Sequence, residues 1–284
     1  MRKHNFIDKH PILGAILFGF MMMAMREMIA FVLAIIHSLV LGTLSDMFNL
    51  IYVIISSAIV FLFYKWWFSK EFEGALSGGN ILQGLINCWP FIIYWIITAI
   101  VLMIDGIFEL KPLNMATIYA SVTAGIAEEL VFRHGMGSTM MRNLNRKDQI
   151  VKICLISSIV FGLFHLLNLA QGADLVSTLI QAVTASSLGV FFCAIYYSSG
   201  NLLPGIILHA VHDIYAISVT STVSENGIVM GGHVLSDIVD VICCLVLAAY
   251  AIYRLLGSDK LDKIVSLWDH KWGKDRIEPV DKEG

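Results

Sequence analysis

Residues 87–104 read NCWPFIIYWIITAIVLMI and contain no charged side chain. A stretch of this length and composition is what a helix needs to cross a hydrocarbon core about 30 Å thick. Seven further apolar runs lie at about 11–44, 49–64, 113–132, 150–167, 175–197, 203–219 and 238–256. The sequence therefore predicts an all-α, polytopic membrane helix bundle with about eight transmembrane helices. The first run lacks a turn signal in its middle and is predicted to be one long helix.

The composition supports a membrane protein and excludes several other classes. Hydrophobic residues make up 57% of the 284 residues and charged residues only 14%, against roughly 25% charged residues in soluble domains. The net charge of -3 and the absence of a basic stripe argue against nucleic acid as a partner. The five cysteines lie in or beside apolar runs without metal-ligand spacing, so they are interpreted as small buried hydrophobic residues. The lipid bilayer is the first expected partner.

The basic residues predict the orientation in the membrane. If both termini are cytoplasmic, then all of the 19 Lys and Arg residues except Arg26, Lys111 and Arg133 fall on the cytoplasmic side, as the positive-inside rule requires. Without an organelle signal, the expected location is a bacterial plasma membrane. The chain divides into N-terminal spans (1–112), a core of membrane helices (113–220), a last span (221–257) and a cytoplasmic amphipathic tail (258–284).

In the tail, Ser258 is expected to cap a helix at the inner leaflet. Five apolar side chains share one face of that helix: Leu261, Ile264, Val265, Trp268 and Trp272.

Ionisable residues are concentrated in three of the predicted spans. An ionisable group near the bilayer centre costs roughly 2.5–3.5 kcal/mol on insertion scales, so each one indicates a functional site by default. The fourth, fifth and seventh runs carry Glu128, Glu129, Arg133, His134, His165, His209, His212 and Asp213, whereas the second, third and sixth have no charged residue in their interiors. This distribution predicts that the polar faces of three helices meet.

Spacing suggests how these groups are arranged. Glu129 and Arg133 are four residues apart and can pair on one helix face, which leaves Glu128 for another role. Gly162 leaves room for a close helix approach that turns His165 into the bundle. His209 and Asp213 also share a face at a spacing of four.

Simpler interpretations stay open for several of these residues. The Glu129–Arg133 pair is either a structural ion pair or a support for catalysis. His134 and His212 are expected at helix interfaces. Asp237 and Asp240 are expected at a hydrated rim near the outer end of the last span.

Three motifs on successive spans carry a resemblance to a known family. They are Glu128-Glu129-x-x-x-Arg133, Phe161-x-x-x-His165 and His209-x-x-x-Asp213. In this order they resemble the CPBP family of CAAX-protease and bacteriocin-processing membrane enzymes, also called the Abi family, which includes the Rce1-type CAAX prenyl proteases. The resemblance covers about residues 113–220. The first three spans match only in being apolar.

The resemblance implies an intramembrane endopeptidase that hydrolyses a membrane-associated protein or peptide. Glu128 would act as general base on a water positioned by His165, while His209 and Asp213 would stabilise the oxyanion. Amide hydrolysis needs these two functions on chemical grounds as well. Asp213 stands where the family has Asn or Asp, and an ionised Asp cannot donate to an oxyanion. The site is expected to open toward the cytoplasm, although helix lengths place His165 and His209 at different depths.

The cofactor is expected to be either none or zinc. If zinc is used, its ligands would be Glu128, His165, His209 and Asp213, a nitrogen and oxygen set that zinc accepts. The spacing His-Glu-x-x-His is absent, so catalysis by glutamate without metal is equally compatible with the sequence.

Two other functions compete with the protease. One is a non-catalytic membrane scaffold, or an immunity or regulatory protein of the same family. The other is an ion-coupled transporter. Transport ranks last because the polar residues cluster and no pair of broken helices in matching halves is visible.

Overall fold

The computed structural model describes residues 5–68, 70, 72–219, 223–224, 227–228 and 234–273. Its α-helices are α1 (Asn5–Lys9), α2 (Pro11–Val40), α3 (Asp46–Trp67), α4 (Ile81–Ile86), α5 (Pro90–Ile104), α6 (Met115–Glu128), α7 (Thr139–Leu144), α8 (Lys147–Phe164), α9 (Leu175–Ser199), α10 (Leu203–Val219), α11 (Val234–Tyr250) and α12 (Ser258–Trp272). Glu129–Ser138 and Ala251–Leu255 are π-helical, and His165–Gln171 is a 3-10 helix. Val223–Ser224 pairs with Gly227–Ile228 as two short antiparallel strands.

The bundle confirms an all-α, polytopic membrane protein. Seven helices in the described part of the chain are long and apolar enough to cross a membrane, and α10 is a shorter apolar helix of 17 residues, near the lower limit of about 17 for a span. The first run forms the single helix α2 of 30 residues, as predicted.

Polar caps and glycines fix where the helices around the site begin and end. Asn114 and Asp174 accept hydrogen bonds from the first turns of α6 and α9, which satisfies backbone N–H groups that lack a helical partner. At the other end of α9, Gly200 has a φ of 71°, a left-handed conformation that favours glycine. The chain can therefore reverse within a few residues between α9 and α10.

Helix α9 forms the centre of the bundle and packs against α8, α10 and α11. Glycines set the closest approaches. A Cβ at Gly125 on α6 would lie 3.0 Å from the carbonyl oxygen of Ile206 on α10, and one at Gly162 on α8 would overlap the carbonyl oxygen of Ala182 on α9. The predicted role of Gly162 is thus confirmed.

Residues 72–80 and helix α12 together form a layer, here called the closing layer, across the end of the bundle where α9 meets α10. Trp268 and Trp272 are fully buried in it. The Trp268 indole donates to the carbonyl oxygen of Tyr197 at 3.0 Å, and Phe72 packs on Trp272 with ring centroids 4.4 Å apart. Aromatic side chains therefore fill this end of the bundle.

Two details of the predicted tail are wrong. The apolar face of α12 packs on the protein itself, because the closing layer buries Ile264, Trp268 and Trp272. The capping position is occupied by Gly257, not by Ser258 as predicted. Ser258 is the first residue of α12, and no side chain caps this helix.

Candidate active site

The first motif lies at a change of helix type. Helix α6 ends at Glu128, and all ten residues of the following π-helical segment, Glu129–Ser138, are buried. In a π-helix the backbone bonds span five residues, and such segments are frequent at functional sites. The two neighbouring carboxylates consequently lie in different surroundings, since the side chain of Glu128 is 28% exposed and that of Glu129 is 0% exposed.

Glu129 links two of the motifs. Its Oε2 lies 3.3 Å from Nε of Arg133, so the predicted ion pair is present. Its Oε1 lies 3.0 Å from Nδ1 of His209 on α10. Because an ionised carboxylate can only accept, the imidazole donates its Nδ1–H to Glu129. A Cβ at Gly205 would come within 3.2 Å of this carboxylate, so Gly205 provides room for it.

Arg133 is enclosed by aromatic rings. Its side chain is fully buried, and Cζ lies 4.3 Å from the ring centroid of Phe161 and 5.5 Å from that of Phe192. A guanidinium above an aromatic face is attracted by the ring quadrupole. Together with Glu129, these rings compensate a cation that would otherwise be expensive to bury.

His209 brings the catalytic candidates together. Its Nε2 lies 3.6 Å from Oε2 of Glu128 and 3.8 Å from Oδ2 of Asp213. Both separations are longer than a direct hydrogen bond. A space therefore remains between the side chains of Glu128, His209 and Asp213. With Glu129 on the other ring nitrogen, three carboxylates surround one imidazole and balance a positive charge on it.

His165 lies in the same cavity, as the first residue of the 3-10 turn after α8. Its ring is 5.1 Å from that of Phe161, which is itself 6.1 Å from the ring of His209. Nε2 of His165 is buried and makes no hydrogen bond to any described residue. A water bound beside this nitrogen would supply the partner that it lacks among the described residues.

The helix starts explain why the two histidines meet despite their positions in the sequence. Helix α8 begins beside α12, where Lys147 pairs with Asp262. Helix α10 begins on the inner side of the closing layer, where the Leu202 N–H donates to the carbonyl oxygen of Ala75 at 2.8 Å. Because α10 starts deeper in the bundle than α8, His209 lies only six residues after the start of α10 and is still level with His165 at the end of α8.

A cavity of about 310 Å³ joins these groups. Glu128, His165, His209 and Asp213 line one part of it, and the lining continues to Ile107 and Ser236. Those residues lie at the end of the bundle away from the closing layer, as the bond of 2.9 Å from the Ser236 N–H to Asp105 also shows. The lining therefore extends away from the closing layer, and the opening of the site toward the cytoplasm stays a prediction.

Sequence reasoning missed part of the cavity wall. Tyr94 donates to Oδ1 of Asp240 at 2.7 Å, and the hydroxyls of Thr98 and Tyr215 are 2.7 Å apart. All four residues line the cavity, whereas Asp240 was expected at a hydrated rim. The available signal was the presence of Tyr94 and Thr98, four residues apart, on a run without charges.

The other two histidines of the polar cluster, His134 and His212, contact other helices, as expected. His212 lies 3.4 Å from the Trp95 indole nitrogen and also lines the cavity. His134 is fully buried, with its ring centroid 4.4 Å from that of Tyr64 on α3, and it does not line the cavity.

The residues proposed as zinc ligands do not form a metal site as they are arranged. Within the described residues, no group of three or more His, Cys, Asp or Glu side chains has the geometry to hold a metal ion. Nδ1 of His209 is already bonded to Glu129, and Nε2 of His165 makes no hydrogen bond to any described residue. The chemistry proposed below therefore uses protein groups alone.

Residues 111–215 match the family model described as type II CAAX prenyl endopeptidase Rce1-like. The match covers less than half of the chain, and this segment is similar to that family. All seven motif residues lie inside it, and the match confirms the resemblance drawn from the three motifs. It supports a protease in a multi-pass membrane protein. No curated protein and no solved structure matches the chain.

Proposed function

We propose that this protein is an intramembrane endopeptidase that hydrolyses a peptide bond of a membrane-associated protein or peptide. One observation carries the proposal: Glu128 and Asp213 lie 3.6 and 3.8 Å from Nε2 of His209, in a cavity that His165 also lines. These groups come from three helices and supply a base, a water-binding nitrogen and an N–H donor around one space.

The reaction begins with a water between Glu128 and His165. Glu128 accepts a proton from the water, and Nε2 of His165 orients it by a hydrogen bond. The water oxygen attacks the carbonyl carbon and the carbonyl π electrons move to oxygen, giving a tetrahedral oxyanion. Glu128 then transfers its proton to the leaving nitrogen, the C–N bond breaks, and a carboxylic acid and an amine result.

The oxyanion is stabilised by protonated His209. Its Nδ1–H is held by Glu129 at 3.0 Å, which fixes the ring and directs Nε2–H toward the cavity. A donor aimed at the developing charge in a site of low dielectric is commonly worth 10²–10³-fold in rate. Glu129 and Arg133 act as positioning residues in this scheme. Asp213 balances the charge of the His209 imidazolium. In this role Asp213 itself does not have to donate a hydrogen bond to the oxyanion.

Glu128→Gln tests the proposal, because the amide keeps size and hydrogen bonding but cannot take the proton. Purified wild type and variant are incubated with a peptide library in detergent, and membrane peptides of cells that carry either form are compared by mass spectrometry. We expect cleavage to fall at least about 10²-fold while the protein stays folded. His165→Ala and His209→Ala should have the same effect, and double variants should lose little beyond the worse single variant.

Glu109→Gln provides a matched control, since Glu109 is an exposed carboxylate between α5 and α6 that does not line the cavity. It should cleave like wild type. Cleavage without metal predicts indifference to a strong chelator, and loss of activity that added zinc restores would replace the metal-free scheme. A cellular phenotype that survives Glu128→Gln intact would mean that the protein acts as a scaffold.

A further inference from the structure

The cavity has a second polar wall, which contains Asp240. On α11, Asp240 accepts a hydrogen bond of 2.7 Å from Tyr94 of α5, and the thiol of Cys244 lies 4.0 Å from the same oxygen. No ion pair within the described part of the chain includes Asp240. Its position contrasts with that of Glu129, which has both Arg133 and His209 as partners.

A carboxylate inside a span is expensive unless a partner compensates it. The Tyr94 hydroxyl engages one oxygen of Asp240. The other is neither hydrogen-bonded nor among the buried atoms without a partner, and Asp240 lines the cavity. This oxygen therefore faces the space in which a peptide would bind.

The surroundings of Asp240 suit a long side chain with a charged end. Leu102 and Leu188 supply apolar wall, while Thr98 and Tyr215 supply hydroxyl groups. Lys and Arg bury their aliphatic stems along apolar surface and place the charged group at a polar partner. A carboxylate at the end of such a wall matches the ammonium or guanidinium group in charge and in hydrogen bonding.

We propose that Asp240 is a specificity-determining residue that pairs with a basic side chain of the substrate. The inference rests on the proposed peptidase function and adds the chemical class of substrate. A cavity of about 310 Å³ is at the small end of ligand pockets. The basic residue therefore lies within about two residues of the scissile bond, at roughly 3.3–3.6 Å per extended residue.

Two peptide pools test this, identical except that one carries Lys or Arg and the other Gln or Met at the positions within three residues of the cleaved bond. Wild type should cleave the basic pool at least about tenfold faster. Asp240→Asn should abolish most of that ratio, and Asp240→Glu should restore it. Because the ratio compares two pools within one preparation, a variant that folds less well does not change it.

Asp105→Asn is the matched control. Asp105 lies at the same end of the bundle and accepts the Ser236 N–H at 2.9 Å, but it does not line the cavity. Its ratio should equal that of wild type. The proposal is overturned if wild type shows no preference for basic peptides, if Asp240→Asn keeps the preference, or if Asp105→Asn loses it equally.

A failure of the peptidase function gives a different result. In that case wild type and Glu128→Gln leave both pools intact. The site is then tested by binding: immobilised Glu128→Gln protein is exposed to an equal mixture of the pools, and the retained peptides are counted by mass spectrometry. Preferential retention of basic peptides that disappears in the Glu128→Gln, Asp240→Asn double variant supports the subsite, and equal retention of both pools refutes it.

Discussion

Gly162→Ala is the smallest change that should disturb the site without touching a catalytic group. Gly162 lies on α8, three residues before His165, where α8 meets α9. An added methyl group would overlap both the Ser186 side chain and the carbonyl oxygen of Ala182. Ser186 can rotate away, but the carbonyl belongs to the backbone of α9. The two helices must therefore separate by on the order of 1 Å to reach ordinary contact distance.

The expected size of the effect follows from this displacement. Overpacking a close contact costs typically 1–3 kcal/mol in the free energy of unfolding, partly offset by the better helix propensity of Ala, up to about 1 kcal/mol. A shift of about 1 Å in a catalytic group lowers rates by up to about 10²-fold. Gly162→Ala should thus lose about 1–2 kcal/mol of stability and at least tenfold in peptide cleavage.

Unfolding by detergent titration or heat measures the first quantity, and cleavage of a peptide pool measures the second. Gly19→Ala on α2 is the matched control, because the nearest atoms to its added methyl belong to the flexible Met136 side chain at 3.2 Å. It should lose less stability than Gly162→Ala. If both variants have the same free energy of unfolding as wild type, then the backbone contact at Gly162 does not limit how closely α8 and α9 approach.

Two further predictions concern folding and orientation. Arg133→Ala should lower the amount of folded protein by leaving Glu129 buried without its cation, at a cost of several kcal/mol; normal accumulation of this variant in membranes would count against the role assigned to the ion pair. Both termini and the 142–152 loop should face the cytoplasm, so a reporter fused after Gly284 that is active only outside the cytoplasm would contradict the orientation.

Sequence alone predicted the helix class of this fold well. Long apolar runs without charges depend only on the properties of the bilayer, so the helix class and the single helix α2 followed directly. The Glu129–Arg133 pair followed from local spacing. The cytoplasmic orientation and the role of each catalytic residue stay predictions.

Contacts between distant parts of the chain could not be predicted in this way. The bond from His209 to Glu129 depends on how α6 and α10 approach at Gly125 and Gly205, which a helical wheel of either helix does not contain. Asp240 joins the cavity because α5 and α11 are neighbours in space, although they are far apart in sequence. The apolar face of α12 had two possible partners, lipid or protein, and its composition suited both.

The π-helical segment Glu129–Ser138 restricts how many residues this part of the chain can contain. A π turn holds more residues than an α turn, so deleting one residue from the segment allows it to rewind as an α-helix. Side chains beyond the segment would then keep nearly the same face, because the tighter turn takes up the lost residue, whereas the buried side chains inside it, such as Arg133 and His134, would move to new positions around the helix axis. Evolution can therefore exchange many side chains in this stretch more easily than it can change its length by a single codon.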